Sequence, residues 1–409
     1  MTAARPYIPR LGERLPSAPR FPMSRKNQLK AWWRELDRVL LGLVLALMVI
    51  GSIAVAAGSP ASARRLSTSA KTLDDLYFWY AHVRWQFLGI VAMIGISMLP
   101  REMARRGAIV LAAAMIGCLM LVPLMGVEVN GARRWINLGF QFQPSEFLKP
   151  GFAVLIAWIL SWKVRDAHMP VVGITGAIAG FVGVLLMLQP NLGDAILFAG
   201  AWLILAMVAG MPLQRLGIAA GAGLVALAMA YMFYDNARHR IDSFLGGGTA
   251  FDQVDLASRT LMAGGWTGAG LWLGRRKMQL PEAHTDYIFS VIGEEFGLLV
   301  CALVVLLYLA IVVRVLVRML EEENLFKVLA ASGLVILFGE QAFMNILVNL
   351  QLFPSKGVPL PLVSYGGSST IAQCAMIGLL LCFTRRNPFL TREGVGITAP
   401  PPQAKVRAK

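Results

Sequence analysis

The chain carries little charge for its length. Of its 409 residues, 15% are Asp, Glu, Lys or Arg, whereas an ordinary soluble domain carries about 25%. This shortage argues against a conventional globular enzyme. Apolar runs of roughly 20 residues recur along the chain instead, which is the length that crosses a bilayer core.

Cysteine is also scarce. All four cysteines lie inside apolar runs and no CxxC pair occurs, the four being Cys118, Cys301, Cys374 and Cys382. This pattern argues against a disulfide framework and against a zinc site, because both need paired or clustered cysteines. We interpret the four residues as small packing groups.

The net charge is +15, but no basic stripe interleaved with aromatic residues accompanies it. We therefore expect no nucleic-acid partner. The Lys and Arg residues sit in short segments between apolar runs, where they set membrane topology and meet anionic headgroups.

The hydropathy pattern predicts an all-α, polytopic membrane protein of about ten transmembrane helices. The predicted spans are 36–58, 82–99, 108–126, 147–162, 170–188, 192–210, 216–234, 287–313, 328–352 and 366–384. The segments on one side carry 23 Lys and Arg residues, against 7 on the other when the long loop is left out. The positive-inside rule therefore places both termini in the cytoplasm.

Three domains are predicted. They are a disordered basic cytoplasmic tail over 1–35, a membrane domain over 36–386 with its large extracytoplasmic loop 235–286, and a disordered cytoplasmic tail over 387–409. A loop as long as 235–286 is rarely idle in a compact protein. A flexible solvated connection is the alternative.

The first polar cluster is the segment 130–150. Glu146 falls in the first turn of a predicted helix, and Lys149 shares its face one turn later. Arg133, Arg134 and Lys149 together suit a phosphate or diphosphate, since guanidinium groups match phosphate oxygens. Headgroup anchoring with a simple helix cap is the alternative.

The second cluster is QPNLGDA, 189–195, which reads as a tight turn between two spans with Asp194 as a helix N-cap. The third is LPEAHTDYIFSVIGEEFG, 280–297, where carboxylates crowd the entrance to an apolar helix. Asp286 suits a helix cap or a catalytic group there, and the two roles are compatible because a cap holds a carboxylate at a fixed place. Glu294 lies about 80° round the helix from Asp286, so both side chains are expected to border one cavity.

The fourth cluster is the Pro- and Gly-rich segment 353–370. Non-helical backbone at membrane depth persists only when it is buried in protein or lines a wet cavity. The hydroxyl and amine groups here are therefore candidates for a cavity wall, and they are Lys356, Ser364, Tyr365, Ser368 and Ser369. A re-entrant turn with hydroxyls satisfying the backbone is the alternative.

These motifs together resemble the SEDS family, the shape, elongation, division and sporulation proteins. The resemblance covers about residues 36–386 and rests on four motifs in the family's order: GARRWINLG with QPSEFLK, QPNLGDA, PEAHTDYIFSVIGEEFG, and PSKGVPLPLVSYGGSS. It implies an inverting peptidoglycan glycosyltransferase that polymerises lipid II at the outer face of the cytoplasmic (inner) membrane. It also implies a class B penicillin-binding protein and other division-complex proteins as partners.

The resemblance carries the family's essential aspartate to Asp286, its cavity lysine to Lys149 and its motif glutamate to Glu146. We predict Asp286 as the base, or as the ligand of a divalent cation such as Mg²⁺ or Mn²⁺, and predict no organic cofactor. The remaining predicted substrate-binding residues are Arg133, Arg134, Glu146, Lys149, Glu282, His284, Lys356 and Ser368.

Lys356-Gly357 and the basic N-terminal tail favour the FtsW branch, and hence septal synthesis, whereas the segment 358–361 looks more like the RodA branch of elongation polymerases. The second motif departs from the family pattern, because Asn191 replaces an aspartate and Asp194 replaces a threonine. The rival functions are a lipid II flippase, which needs a polar path through the bilayer, and a scaffold that only docks partners.

Overall fold

The computed structural model describes residues 25–68, 72–129, 132–137, 141–164, 166, 168–247, 253–355 and 357–386. The chain divides into a large unit over residues 37–385 and a small unit made of the two terminal segments. The helices are α1 Arg25–Glu35, α2 Arg38–Leu66, α3 Tyr77–Met98, α4 Arg101–Met125, α5 Pro144–Leu160, α6 Val171–Met187, α7 Leu192–Val208, α8 Leu213–Phe233, α9 Asp235–Asp242, α10 Gln253–Ala263, α11 Ile288–Met319, α12 Leu325–Asn349 and α13 Gly367–Thr384.

Apolar helices occupy all ten predicted spans. Among the described residues, eight helices are long and apolar enough to cross a membrane. The other two, α6 and α7, are apolar helices of 17 residues each, which is at the short end of the range that spans a bilayer. The predicted all-α membrane architecture is therefore confirmed.

Two local predictions need correction. The last eleven residues of the tail predicted as disordered form helix α1, because the segment Arg25–Glu35 contains no Gly or Pro and is rich in helix formers. Residues 1–24 and 387–409 lie outside the described residues. A small antiparallel sheet also interrupts the helices, with strands β1 Val127–Val129, β2 Ala132–Asn137 and β3 Gln141–Phe142 in the order β1-β2-β3.

Helices α5, α12 and α13 form the centre of the large unit, and most of their residues are buried. In contrast, α8 contributes only Ala230 to the buried set. Proteins in bilayers bury their central helices against one another and leave peripheral ones to lipid. The polar motifs of the sequence lie at the ends of these central helices.

Helix α11 is interrupted near its start, at Gly297, where φ is 82°. The segment 264–270 inserts into this break and replaces the missing helical hydrogen bonds. The amides of Ala269 and Gly270 donate to the carbonyls of Glu294 and Glu295 at 2.8 and 2.9 Å. The amides of residues 298 and 299 in turn donate to carbonyls of the inserted segment. The Gly-rich part of the long loop is thus built into the membrane domain.

This insertion leaves no space for a side chain at Gly264. A Cβ atom there would lie 1.9 Å from the carbonyl oxygen of Gly293. We predict that Gly264→Ala destabilises the protein by about 1–3 kcal/mol through overpacking. The measurement is the melting temperature in detergent, detected as the temperature at which the monodisperse peak in size-exclusion chromatography is lost. Gly223→Ala is the control, because nothing lies within 4 Å of its Cβ position; equal melting of the two variants would contradict the prediction.

Candidate active site

The loop before α11 is held through three consecutive main-chain carbonyls. The His284 carbonyl accepts a hydrogen bond from the Tyr365 amide at 2.9 Å. The Thr285 carbonyl accepts from Ser364 Oγ at 2.6 Å. The Asp286 carbonyl accepts from Asn345 Nδ2 at 2.8 Å and from a second amide at 3.2 Å. Two of these bonds join the third polar motif, 280–297, directly to the fourth, 353–370.

Asn345, on α12, is the link between these loops. Its Nδ2 donates to the carbonyl of Asp286 and to the carbonyl of Val358, both at 2.8 Å. Asn349, one turn later, donates to the Asp286 carbonyl and accepts from the hydroxyl of Ser290 at 2.7 Å. Both amide side chains are buried, where a satisfied amide fixes geometry strongly.

The Asp286 carboxylate lies in a small cleft between α12 and the segment after residue 356. The other residues that line this cleft are Tyr287, Met344, Asn345, Val348, Gly357 and Val358. Oδ2 of Asp286 lies 3.5 Å from the position that a Cβ atom on Gly357 would occupy. Within the described residues, the carboxylate oxygens have no hydrogen-bond donor. Lys356, predicted to bind substrate, lies outside the described residues.

The charges around this cleft oppose one another. Burial raises the pKa of Asp286 to about 7, and the nearby Glu282 carboxylate adds to that rise. The guanidinium groups of Arg240 and Arg134 act in the opposite direction. A carboxyl group that titrates near neutral pH suits a general base or acid, because it exchanges its proton near physiological pH.

The two predicted arginines of the first motif have different positions. Arg134 is half-buried and donates to the carbonyls of Gln189, at 3.3 Å, and of Pro190. Arg133 is exposed and pairs with Glu128 across the β1–β2 ladder at 3.4 Å. Of the two, only Arg134 lowers the pKa of Asp286. Arg240 on α9 has the same effect on Asp286. The sequence analysis did not predict it, since nothing in the spacing of that loop relates it to the other motifs.

An apolar groove begins beside Arg240. Its guanidinium donates to the carbonyl of Ser355 at 3.2 Å. The groove is lined mainly by apolar side chains from α6, α7, α8, α9 and the 353–355 segment, and its remaining residues are Met187, Pro190, Leu192, Gly193, Ile196, Leu227, Tyr234, Ile241, Phe353 and Pro354. A cationic group thus lines an otherwise apolar groove.

The predicted role of His284 in substrate binding does not fit its position. The ring is buried in an aromatic box with Phe78 and Tyr365, whose ring centroids lie 4.2 and 5.2 Å away. Its Nδ1 shares a hydrogen bond of 2.6 Å with Ser62 Oγ on α2. Burial, with a further contribution from His82, lowers the pKa of His284 to about 4. His284 is therefore a neutral packing residue that anchors the loop to α2.

Lys149 is sealed from solvent. Its ammonium contacts Glu146 Oε1 at 2.6 Å, Asp194 Oδ1 at 3.2 Å and Gln341 Oε1 at 2.9 Å, and the side chain is 0% exposed. The predicted contact of Lys149 with a diphosphate does not fit this geometry, because its donors already have partners. The predicted N-cap is likewise corrected, since the cap of α7 is Asn191 and the Asp194 carboxylate pairs with Lys149.

The remaining candidates have these positions. Glu282 is exposed, has φ of 52° and accepts from Thr285 Oγ1 at 2.8 Å. Ser368 lies in the first turn of α13, half-buried, whereas its neighbour Ser369 donates to Glu146 Oε2 at 3.1 Å. The structure therefore brings Ser369, predicted only as a cavity-wall residue, into contact with a predicted site residue.

Glu294 does not border the Asp286 cleft as predicted. Both of its carboxylate oxygens accept main-chain amides, from Arg276 at 2.7 Å and from Lys277 at 2.8 Å. Glu295 accepts from the Gly274 amide and from the Lys277 ammonium. These carboxylates hold the long loop against α11, which is the physical reason for burying them at the helix entrance.

The predicted divalent cation would depend on few protein ligands. Among the described residues, no group of three or more His, Cys, Asp or Glu side chains is placed to hold a metal ion. Asp286 and Glu282 would have to share Mg²⁺ or Mn²⁺ with a substrate diphosphate, which is how Mg²⁺ often binds. The cation stays a prediction.

Comparison with known proteins gives consistent similarities. Residues 37–387 match the model of the FtsW, RodA and SpoVE family, described as cell cycle proteins. A probable peptidoglycan glycosyltransferase FtsW of Caulobacter vibrioides is 33% identical over 370 residues, which cover 90% of this chain and 94% of that protein. Its counterpart in Halorhodospira halophila is 34% identical over 364 residues and covers 85% and 90%.

Solved structures share the fold. One is a chain from a peptidoglycan synthase complex, solved in work on the structural coordination of polymerization and crosslinking. Its TM-score is 0.70 and its identity is 28%, and the match covers 85% of this chain and 97% of that chain. The rod shape determining protein RodA of Thermus thermophilus has a TM-score of 0.63 and 28% identity, with 85% and 96% covered.

The charges at the cleft predict how Asp286 titrates. We expect a carboxyl pKa of about 7, which falls in Glu282→Gln because a like charge is removed, and rises in Arg240→Gln because an opposite charge is removed. Infrared titration of the carboxyl band, assigned by its loss in Asp286→Asn, measures this value. Arg133→Gln is the control and leaves it unchanged. A midpoint near the ordinary value of 3.8 in all variants would contradict the prediction.

Proposed function

This chain belongs to the FtsW, RodA and SpoVE family of cell cycle proteins and is a peptidoglycan glycosyltransferase, and we propose that it polymerises lipid II with Asp286 as its catalytic base. The predicted leaning toward FtsW is confirmed, since both relatives described above carry that name. The observation that carries the proposal is a half-buried carboxylate with a near-neutral pKa, fixed by its main chain at the head of α11.

The proposed reaction is one inverting displacement. The Asp286 carboxylate removes the proton from an acceptor sugar hydroxyl, and that oxygen forms a bond to the anomeric carbon of the donor sugar. The bond between the anomeric carbon and the diphosphate oxygen breaks, and the prenyl diphosphate leaves with the electron pair. A positioned base contributes roughly 10²–10⁴-fold to such a step.

Arg134 and Arg240 are the proposed partners of the leaving diphosphate. Both lie close enough to lower the pKa of Asp286. Each guanidinium has five N–H donors, and the described contacts use two of those of Arg134 and one of those of Arg240. The remaining donors are free to meet the charge that develops on phosphate oxygens, which replaces the earlier assignment to Arg133 and Lys149.

The apolar groove beside Arg240 is the proposed path of the prenyl chain. Its lining is almost entirely aliphatic and aromatic, and its one charged lining residue is Arg240. A polyprenyl diphosphate has the same order of chemistry, with a charged head joined to a long apolar tail. The groove therefore supports a lipid-linked donor more than a soluble nucleotide sugar.

The partners and the location are proposed on similar grounds. A class B penicillin-binding protein is supported by the similarity to a chain of a peptidoglycan synthase complex. Work at the division septum, together with other division proteins, is supported by the FtsW relatives. The chain itself is a multi-pass membrane protein.

A lipid II flippase is the second candidate, because one observation favours it. The charged cluster of Glu146, Lys149 and Asp194 lies inside the helix bundle, where a transporter would need polar groups. These side chains are at most 3% exposed, however, and are satisfied by one another and by neighbouring amide groups. Glycan elongation in detergent, where no two sides exist, distinguishes polymerase from flippase.

We predict that Asp286→Asn abolishes polymerisation of labelled lipid II by the purified protein, alone and with its penicillin-binding partner. The loss should reach at least about 100-fold, because the nearly isosteric amide cannot accept the proton. The wild-type rate should rise with pH through about 7, as the carboxyl group loses its proton.

Asp75→Asn is the matched control, since Asp75 is exposed and only pairs with Arg64 at the surface. Its rate should equal that of the unmodified protein. Normal glycan synthesis by Asp286→Asn would remove the proposed base. A scaffold or flippase role would then account better for the family motifs.

A further inference from the structure

The large unit contains an ionic cluster that the proposed reaction does not use. Lys149, on α5, lies between the carboxylates of Glu146 and Asp194, and all three side chains are at most 3% exposed. Burying one cation and two anions is costly unless each group keeps excellent partners. The cluster therefore calls for a role beyond simple packing.

Asp194 has partners for both of its carboxylate oxygens. Oδ1 lies 3.2 Å from the Lys149 ammonium, and Oδ2 accepts from Asn191 Nδ2 at 2.8 Å. The Asn191 oxygen accepts in turn from the Asp194 amide and caps α7. The first turn of α7 thus presents its carboxylate to α5 in one fixed orientation.

A chain of hydrogen bonds leads from this cluster to the active-site cleft. Gln341 Oε1 accepts hydrogen bonds from Lys149 Nζ and from Gln373 Nε2, each at 2.9 Å, and Gln341 Nε2 donates to the carbonyl of Pro359, also at 2.9 Å. The preceding carbonyl, of Val358, accepts from Asn345, which also holds Asp286. Val358 is part of the cleft wall.

We propose that Asp194 is a positioning residue for the active site. It fixes the Lys149 ammonium on Gln341, whose amide then holds the 357–360 segment against the Asp286 cleft. Removing its charge leaves the buried ammonium with one carboxylate, so the ammonium shifts toward Glu146 and the contact with Gln341 loosens. Only the expected fall in kcat rests on the proposed function; the expected change in hydrogen–deuterium exchange does not.

The test exchanges the charge between two neighbouring positions. Asp194→Asn should lower kcat for lipid II polymerisation at least tenfold and leave KM within twofold. It should also speed hydrogen–deuterium exchange of the amides in peptides covering 357–364. The double variant Asn191→Asp/Asp194→Asn keeps the composition and puts a carboxylate oxygen in place of the Asn191 Nδ2 atom, which lies 2.8 Å from Oδ2 of Asp194. Because the negative charge returns to the cluster, this variant should recover at least half of kcat and the slow exchange.

Three outcomes overturn the proposal. They are an unchanged kcat and exchange rate in Asp194→Asn, a fall in kcat without faster exchange of 357–364, and a double variant that melts like wild type but recovers neither readout. The exchange readout needs no enzymatic turnover. If wild-type protein polymerises nothing while the exchange pattern follows the expectation, the proposed function fails and the positioning role of Asp194 stands.

Discussion

The side-chain amide of Asn345 is the contact on which the site depends. One nitrogen joins the carbonyl of Asp286 to the carbonyl of Val358, and so connects the loop before α11 to the loop before α13. With the bonds to the carbonyls of His284 and Thr285, it fixes three successive peptide groups. The Asp286 side chain is then free to do chemistry, because its main chain is held by other residues.

The bilayer explains why the structure uses such bonds repeatedly. Non-helical backbone at membrane depth must find partners within the protein. The inserted segment 264–270 takes over the hydrogen bonds of the break at Gly297, and buried amides of α12 satisfy the loop at 357–360. Buried polar side chains thus serve mainly to hold loops, and only a few groups remain for substrate.

Much of this arrangement is predictable from sequence and part of it is not. Hydropathy locates the ten apolar helices, since span length follows from bilayer thickness. The motif residues are found, but their partners are not, because partners depend on tertiary packing: Lys149 is sealed by Asp194, and His284 enters an aromatic box. Arg240 carries no local signal at all. The family pattern has a threonine where this chain has Asp194, so the pattern alone does not predict a role for this carboxylate. Its position one helical turn from Asn191 lets it reach Lys149.

The role of Asn345 is tested most directly by the turnover of an Asn345→Leu variant on purified lipid II. Leucine has a similar volume but no donor, so both carbonyls lose their common partner while the Asp286 side chain stays unchanged. We expect kcat to fall by about 100-fold in protein that remains monodisperse, because a displacement of roughly 1 Å at a reacting group has an effect of that size. Wild-type turnover by this variant would contradict the claim that the anchored main chain places the catalytic carboxylate.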